Sequence, residues 1–219
     1  GPMAAVVLAD QGAEVIKVEP PGWGDGIRGL GASRNGLSAI FSMINRNKRS
    51  IGINLKHADG QRIVRSLVET SDVVLQNYRP GKMDRLGLGF DALSAVNGEL
   101  IYASISGMGE VGPYAEQKVY DYVIQGMSGA LDAQAENGKP KMVRTIVYDK
   151  VTALTTAQAI TAALYARELA KPRTVRLFPT ISGLILRDTV PANCSQSWRR
   201  MISPIPELTF DMRWRLIHR

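Results

Sequence analysis

The run Gln76-Asn77-Tyr78-Arg79-Pro80-Gly81-Lys82-Met83-Asp84-Arg85-Leu86-Gly87-Leu88-Gly89 gathers basic, aromatic, amide and turn residues just beyond an apolar stretch, Asp72 to Leu75. Pro80-Gly81 suits a tight turn after a strand, because proline presets φ and glycine accepts φ > 0. That turn carries Asn77, Arg79 and Arg85 to the carboxyl edge of a sheet, where open α/β folds bind ligands. Two guanidinium groups, an amide and a tyrosine ring suit a ligand that has both phosphates and a flat base.

Asp149 precedes an Ala/Thr-rich stretch, Lys150 to Arg167, that reads as a long helix. An aspartate there is an ordinary helix cap, and a helix N-terminus also stabilises an anionic carboxylate. Other chemistries find little support. Neither Gly87-Leu88-Gly89 nor the loop Gly22 to Gly36 has the strand-turn-helix setting of a nucleotide fingerprint. One cysteine, Cys194, and two distant histidines, His57 and His218, make no recognisable metal site. Ser106 has no histidine partner at a spacing that indicates a hydrolase triad.

The elements that must position these groups alternate. Met3 to Gln11 reads as a helix, Glu14 to Val18 as a strand, Gly22 to Gly36 as a glycine-rich loop and Ser50 to Asn54 as a strand. His57 to Glu69 reads as an amphipathic helix with Ile63, Leu67 and Val68 on one face. Val73 to Leu75 and Ile101 to Ser104 read as strands, with a short helix, Phe90 to Val96, between them. Tyr120 to Ala133 looks helical, and Ala153, Ala157, Ala159 and Ala163 allow the long last helix a close neighbour. This order predicts an α/β fold with a mostly parallel sheet and helices on both faces.

The chain has 219 residues, 45% hydrophobic and 21% charged, as expected of a folded globular protein. Its net charge of +7 is concentrated at one end. Residues 171–219 hold 9 Lys+Arg against 3 Asp+Glu; removing these from totals of 27 and 20 leaves 18 against 17 in residues 1–170. A nearly neutral body lacks the basic stripe of a nucleic-acid binder. A single cysteine and the lack of a leader or a spanning apolar run predict a cytoplasmic protein, with no membrane partner.

The order of motifs resembles the class III coenzyme A transferases, the family that includes formyl-CoA transferase, carnitine CoA-transferase and α-methylacyl-CoA racemase. The resemblance covers about residues 1–168. It rests on Gly1-Pro2, Gly12-Ala13-Glu14-Val15-Ile16-Lys17-Val18-Glu19, Asn47-Lys48-Arg49-Ser50-Ile51, Asn77-Tyr78-Arg79-Pro80-Gly81, Ser104-Ile105-Ser106-Gly107 and Lys118-Val119-Tyr120-Asp121. It implies a Rossmann-like large domain, here incomplete, and an interlocked homodimer. It implies that CoA, as substrate and not as a cofactor, is contacted at Ile53, Asn54, Leu55, Lys56, Asn77, Tyr78, Arg79, Arg85, Lys118, Val119, Tyr120 and Asp121. Asp149 matches the catalytic aspartate, which implies transfer of CoA between an acyl-CoA and a carboxylic acid through an aspartyl-CoA thioester. The racemase branch has a histidine where this chain has Tyr120, a poor base near neutrality, so transfer is expected over racemisation. A noncatalytic CoA-binding fragment is the other expectation.

Residues 169–219 depart from the family. No strand precedes Gly1-Pro2, a second domain has no counterpart, and the alternation stops at Leu169. The codons of Leu169-Ala170-Lys171-Pro172-Arg173, shifted by one base, can spell Gly-Lys-Ala-Gln. These features predict a divergent basic tail, read in a shifted frame, with one strand at Ile181 to Leu186 and with His218 in a terminal tail. His57 is expected at a helix start.

Overall fold

The computed structural model describes residues 1–170, 175–180, 183–186 and 215–218. In chain order the elements are α1 (Pro2–Asp10), β1 (Glu14–Glu19), a 3-10 turn at Gly26–Gly29, β2 (Ser33–Arg34), β3 (Leu37–Ser38), α2 (Ala39–Asn45), β4 (Lys48–Gly52), α3 (Ala58–Val68) and β5 (Val73–Gln76). They continue with α4 (Lys82–Arg85), α5 (Phe90–Ser94), β6 (Ile101–Ser104), α6 (Asp121–Met127), α7 (Ala130–Ala133), α8 (Val147–Ala170), β7 (Val175–Thr180), β8 (Gly183–Leu186) and β9 (Arg215–His218). Among the described residues, seven strands form one sheet in the order β4-β1-β9-β5-β6-β7-β8. All neighbours are parallel except β7 and β8.

β5 and β6 are buried along their whole length, which is why Val73-Val74-Leu75 and Ile101-Tyr102-Ala103 read as unbroken apolar runs. One sheet face packs Val15, Val73, Leu75 and Leu216 against α1 and α8. The other packs Val18, Val74, Tyr102 and Ile217 against α3 and α5. Helix α1 starts on Pro2, whose missing N–H costs nothing there, and stops on Gly12 at φ +101°. Gly12 N–H reaches Ala9 O and Ala13 N–H reaches Leu8 O, a Schellman ending that turns the chain straight into β1. Ala4 and Ala5 on α1, with Ala153 and Ala157 on α8, give these two helices the close packing that the alanines foretold.

Several expectations change. The buried face of α3 is Gly60, Val64 and Val68, and Ile63 is exposed. The helix expected over Tyr120 to Ala133 breaks at Gly129, which takes φ +79°. Helix α8 begins three residues earlier than read, so Asp149 lies in its first turn and not before it. Strands β7 and β9 come from the part read as a tail, and β9 occupies the middle of the sheet. His218 is therefore a central strand residue, paired in register with Lys17 and Leu75. Residues 187–214, with Cys194, and residues 181 and 182 of the expected strand lie outside the described residues.

Candidate active site

Parallel strands deliver the loops that follow them to one edge, so β1, β4, β5 and β6 bring four candidate segments to the same rim. The chain order reverses direction across β1, β9 and β5, which opens a crevice there. Pro2, Lys17, Glu19, Asp25, Asn77 and Tyr78 are among the residues around this space of about 230 Å³.

The wall on the β1 side is held by charge. Glu19, 3% exposed, accepts from Arg28 Nε at 2.8 Å and Nη2 at 2.9 Å, from Asp25 N–H at 2.8 Å and from Ser50 Oγ at 2.9 Å. Arg28's hydrogen bonds, aided by the Asp25 amide and Ser50, pull the Glu19 carboxyl down to about 2 against the opposing effect of burial. Lys17 donates to Asp25, and the Arg28 guanidinium lies 3.9 Å from the centre of the Phe41 ring. These contacts fasten the Gly22 to Gly36 loop to the sheet, so Lys17 and Glu19 serve as its anchors.

The β5 side bears the turn. Lys82 N–H bonds to Arg79 O, and Gly81 takes φ +72°, which makes Arg79 to Lys82 a type II turn with Pro80 and Gly81 in their favoured places. Gly1 sits tightly against two side chains, since a Cβ there would stand 2.6 Å from Asn77 Oδ1 and 3.1 Å from His218 Nε2. Lys48 Nζ donates to Pro2 O at 2.7 Å, so the Gly1-Pro2, Asn77 and Lys48 motifs meet at one point. Burial lowers the Lys48 pKa to about 7. His218 is fully buried and neither ring nitrogen has a partner among the described residues; burial first, then Lys48 and Lys17, hold its pKa well below the usual value.

The sequence-predicted residues fall into three groups. Lys56, Arg79, Arg85 and Lys118 are exposed and make no side-chain hydrogen bond or ion pair among the described residues. Ile53 and Leu55 point into the core and can offer a ligand only backbone, while Asn54 Oδ1 accepts the Lys56 N–H at 3.1 Å. Val119 packs on Gly107, where a Cβ would fall 2.7 Å from Val119 Cβ, and Tyr120 stacks on Tyr122 with ring centres 5.7 Å apart. Asp121 is 3% exposed and faces inward. Its Oδ1 accepts Asp149 N–H at 2.9 Å and its Oδ2 accepts Gln125 Nε2 at 2.6 Å, while Gln125 Oε1 takes Val143 N–H at 2.9 Å. Asp121 thus fixes the first turn of α8, and Asp149 is exposed at its head. Partial desolvation, then the Asp121 carboxylate, raise the Asp149 pKa. Neither the role of Gln125 nor His218's place beside Asn77 was foreseen from sequence. Helix period alone pairs Asp121 with Gln125, four residues on.

Residues 1–172 match the description CoA-transferase family III. The chain belongs to that family. Among relatives of this family III chain, the acetyl-CoA:oxalate CoA-transferase of Acetobacter aceti is 42% identical over 170 residues, 77% of this chain and 44% of its own length. The succinyl-CoA:glutarate CoA-transferase of Homo sapiens is 39% identical over 166 residues, 75% of this chain and 38% of its own. A CAIB/BAIF family protein from Brucella suis superposes with a TM-score of 0.76 at 34% identity, covering 97% of this chain and 55% of that one. This family III chain thus spans less than half the length of the curated relatives it matches. Among the described residues, no helix is long and apolar enough to cross a membrane.

Proposed function

We propose that the chain forms the CoA-binding and nucleophile-bearing part of a CoA-transferase that exchanges CoA between an acyl-CoA and a carboxylic acid. One observation carries the reading: an exposed aspartate, held by a buried one at the head of a 24-residue helix, in a chain whose sheet rim presents cations that have no side-chain partner among the described residues. Lys56, Arg79, Arg85 and Lys118 suit the phosphates of CoA, and the Tyr78 and Tyr120 rings suit its flat base. The helix N-terminus favours negative charge at Asp149.

In this reading the Asp149 carboxylate attacks the thioester carbonyl, the C–S bond breaks and CoA leaves as thiolate, giving an acyl-aspartyl anhydride. The thiolate attacks the aspartyl carbonyl and expels the donor carboxylate, leaving an aspartyl-CoA thioester. The acceptor carboxylate attacks that thioester and the same two steps run in reverse order, which returns Asp149 as carboxylate. The exposed apolar side chains Tyr122 and Met127 of α6 and Val151 and Leu154 of α8 are candidates for burial against a second copy in a homodimer.

The test is mass spectrometry of the full chain after incubation with an acyl-CoA, first intact and then after proteolysis. A CoA-sized adduct on the Asp149 peptide, absent in Asp149→Ala, is the expected result. CoA binding with no adduct leaves a noncatalytic CoA-binding chain, and absence of CoA binding removes the whole reading.

A further inference from the structure

A line of polar side chains crosses the sheet rim beside the candidate loop, and the sequence motifs did not absorb it. Gln76, the last residue of β5, is 5% exposed, and its register partner on β6 is Ser104, 2% exposed. Gln76 Oε1 accepts the backbone N–H of Tyr78 at 2.7 Å, and Gln76 Nε2 donates to Ser104 Oγ at 2.6 Å. Ser104 Oγ donates to Glu110 Oε1 at 2.8 Å, and the other carboxylate oxygen, Oε2, accepts from Arg176 Nη2 of β7 at 2.9 Å. The Arg176 guanidinium lies 5.1 Å from the centre of the Phe90 ring, which meets Tyr102 edge-on.

The direction of every bond follows from the inventory of donors. A guanidinium only donates and a carboxylate only accepts, so Ser104 must spend its one proton on Glu110 and receive from Gln76. That fixes the Gln76 amide, because the flipped rotamer would set its NH₂ against the Tyr78 N–H. Each proton in the line thus points toward Glu110, and the carboxylate decides the orientation of a side chain two steps away. Glu110 lies on the connection from β6 to Lys118-Val119-Tyr120-Asp121, whereas Tyr78 lies on the loop after β5. The line therefore joins the two halves of the candidate CoA surface, through a buried bond between Gln76 and Ser104 and part-buried bonds on either side of it.

We propose that Gln76, Ser104, Glu110 and Arg176 form a positioning relay that sets the backbone at Tyr78, and so aims Asn77 and Arg79 at their ligand. The inference rests on the CoA-binding reading above, and none of the four side chains needs to touch CoA. A purely structural brace would alter stability without a selective effect on the loop, so the two roles separate by measurement.

The experiment uses the full chain and reads two quantities, amide exchange at Tyr78 by NMR and the dissociation constant for CoA by calorimetry. Ser104→Ala leaves the Gln76 NH₂ without its acceptor, and Glu110→Gln puts an amide where the line needs an acceptor only. Each change is expected to speed exchange at Tyr78 and weaken CoA binding by roughly tenfold, while exchange at Ile101, at the far end of β6, stays as it was. Ser104→Thr, which keeps the hydroxyl, is expected to restore both readings and guards against a variant that fails to fold. Unchanged Tyr78 exchange overturns the relay, as does faster exchange with CoA affinity intact. If the unaltered protein binds no CoA, the CoA reading alone has failed, and Tyr78 exchange then decides whether the relay holds the loop.

Discussion

Asp149 and Asp121 divide one task between two carboxylates of opposite exposure. Asp121 is buried and its oxygens are engaged by the Asp149 amide and Gln125, so it positions; Asp149 is open to solvent, so it can react. A nucleophilic carboxylate must be ionised, and the Asp149 pKa lies above the ordinary aspartate value, first through partial desolvation and then through the Asp121 charge. Labelling of Asp149 by acyl-CoA should therefore rise with pH along a limb above the usual aspartate range of about 4. Asp121→Asn keeps an oxygen for the Asp149 amide but removes the charge, so that limb should move to lower pH. Single-turnover labelling followed against pH checks this; a limb that stays put or moves up denies Asp121 its electrostatic part.

Helix α3 and the segment Ile53 to Lys56 meet at a point that allows no side chain. A Cβ on Gly60 would stand 2.1 Å from Asn54 O, a backbone atom that cannot swing aside. Gly60→Ala should force α3 away from the sheet, lower stability by roughly 1–3 kcal/mol and weaken CoA binding together with it. Thermal melting with CoA calorimetry checks both, and a variant as stable as the parent would show that the helix shifts at no cost. This contact marks a limit on reading elements from sequence. Val73 to Leu75, Ile101 to Ser104 and the Pro80-Gly81 turn were legible because their cause is local: apolar runs, and a proline with a glycine. Helix α2 was hidden by the glycine-rich loop before it, although Ser38 Oγ caps it by accepting Phe41 N–H. The relay from Gln76 to Arg176 was illegible because parallel register between β5 and β6 and the path of the loop after β6, not sequence spacing, bring its members together.

At the scale of the molecule, the centre of the sheet is closed from outside the family-matched segment. Strand β9 lies between β1 and β5, with Leu216 packed toward α1 and α8 and Ile217 toward α3. Burying these two side chains is worth roughly 1.5–3 kcal/mol each. Four residues with no alternation, drawn from an arginine-rich stretch, gave no sequence sign of that position, since a central strand needs only apolar neighbours and ladder bonds. The same strand carries His218, which links the whole fold to pH. Its unfolded pKa is about 6.5 and its folded pKa lies well below, so its neutral burial is free above 6.5 and costs stability as pH falls under that value. Lys48 behaves in a separate window: with a folded pKa of about 7 against 10.5 unfolded, stability falls from pH 10.5 down to 7 and is then level. Melting temperature against pH should therefore show two declining limbs on acidification. His218→Leu should flatten only the limb below 6.5, whereas Lys48→Met should flatten the limb above 7 and, by removing a cation that depresses His218, also shrink the acid limb. A His218→Leu protein whose profile parallels the parent's down to pH 5 would mean that His218 takes up its proton without leaving the sheet, and β9 would then not be where acid first opens the fold.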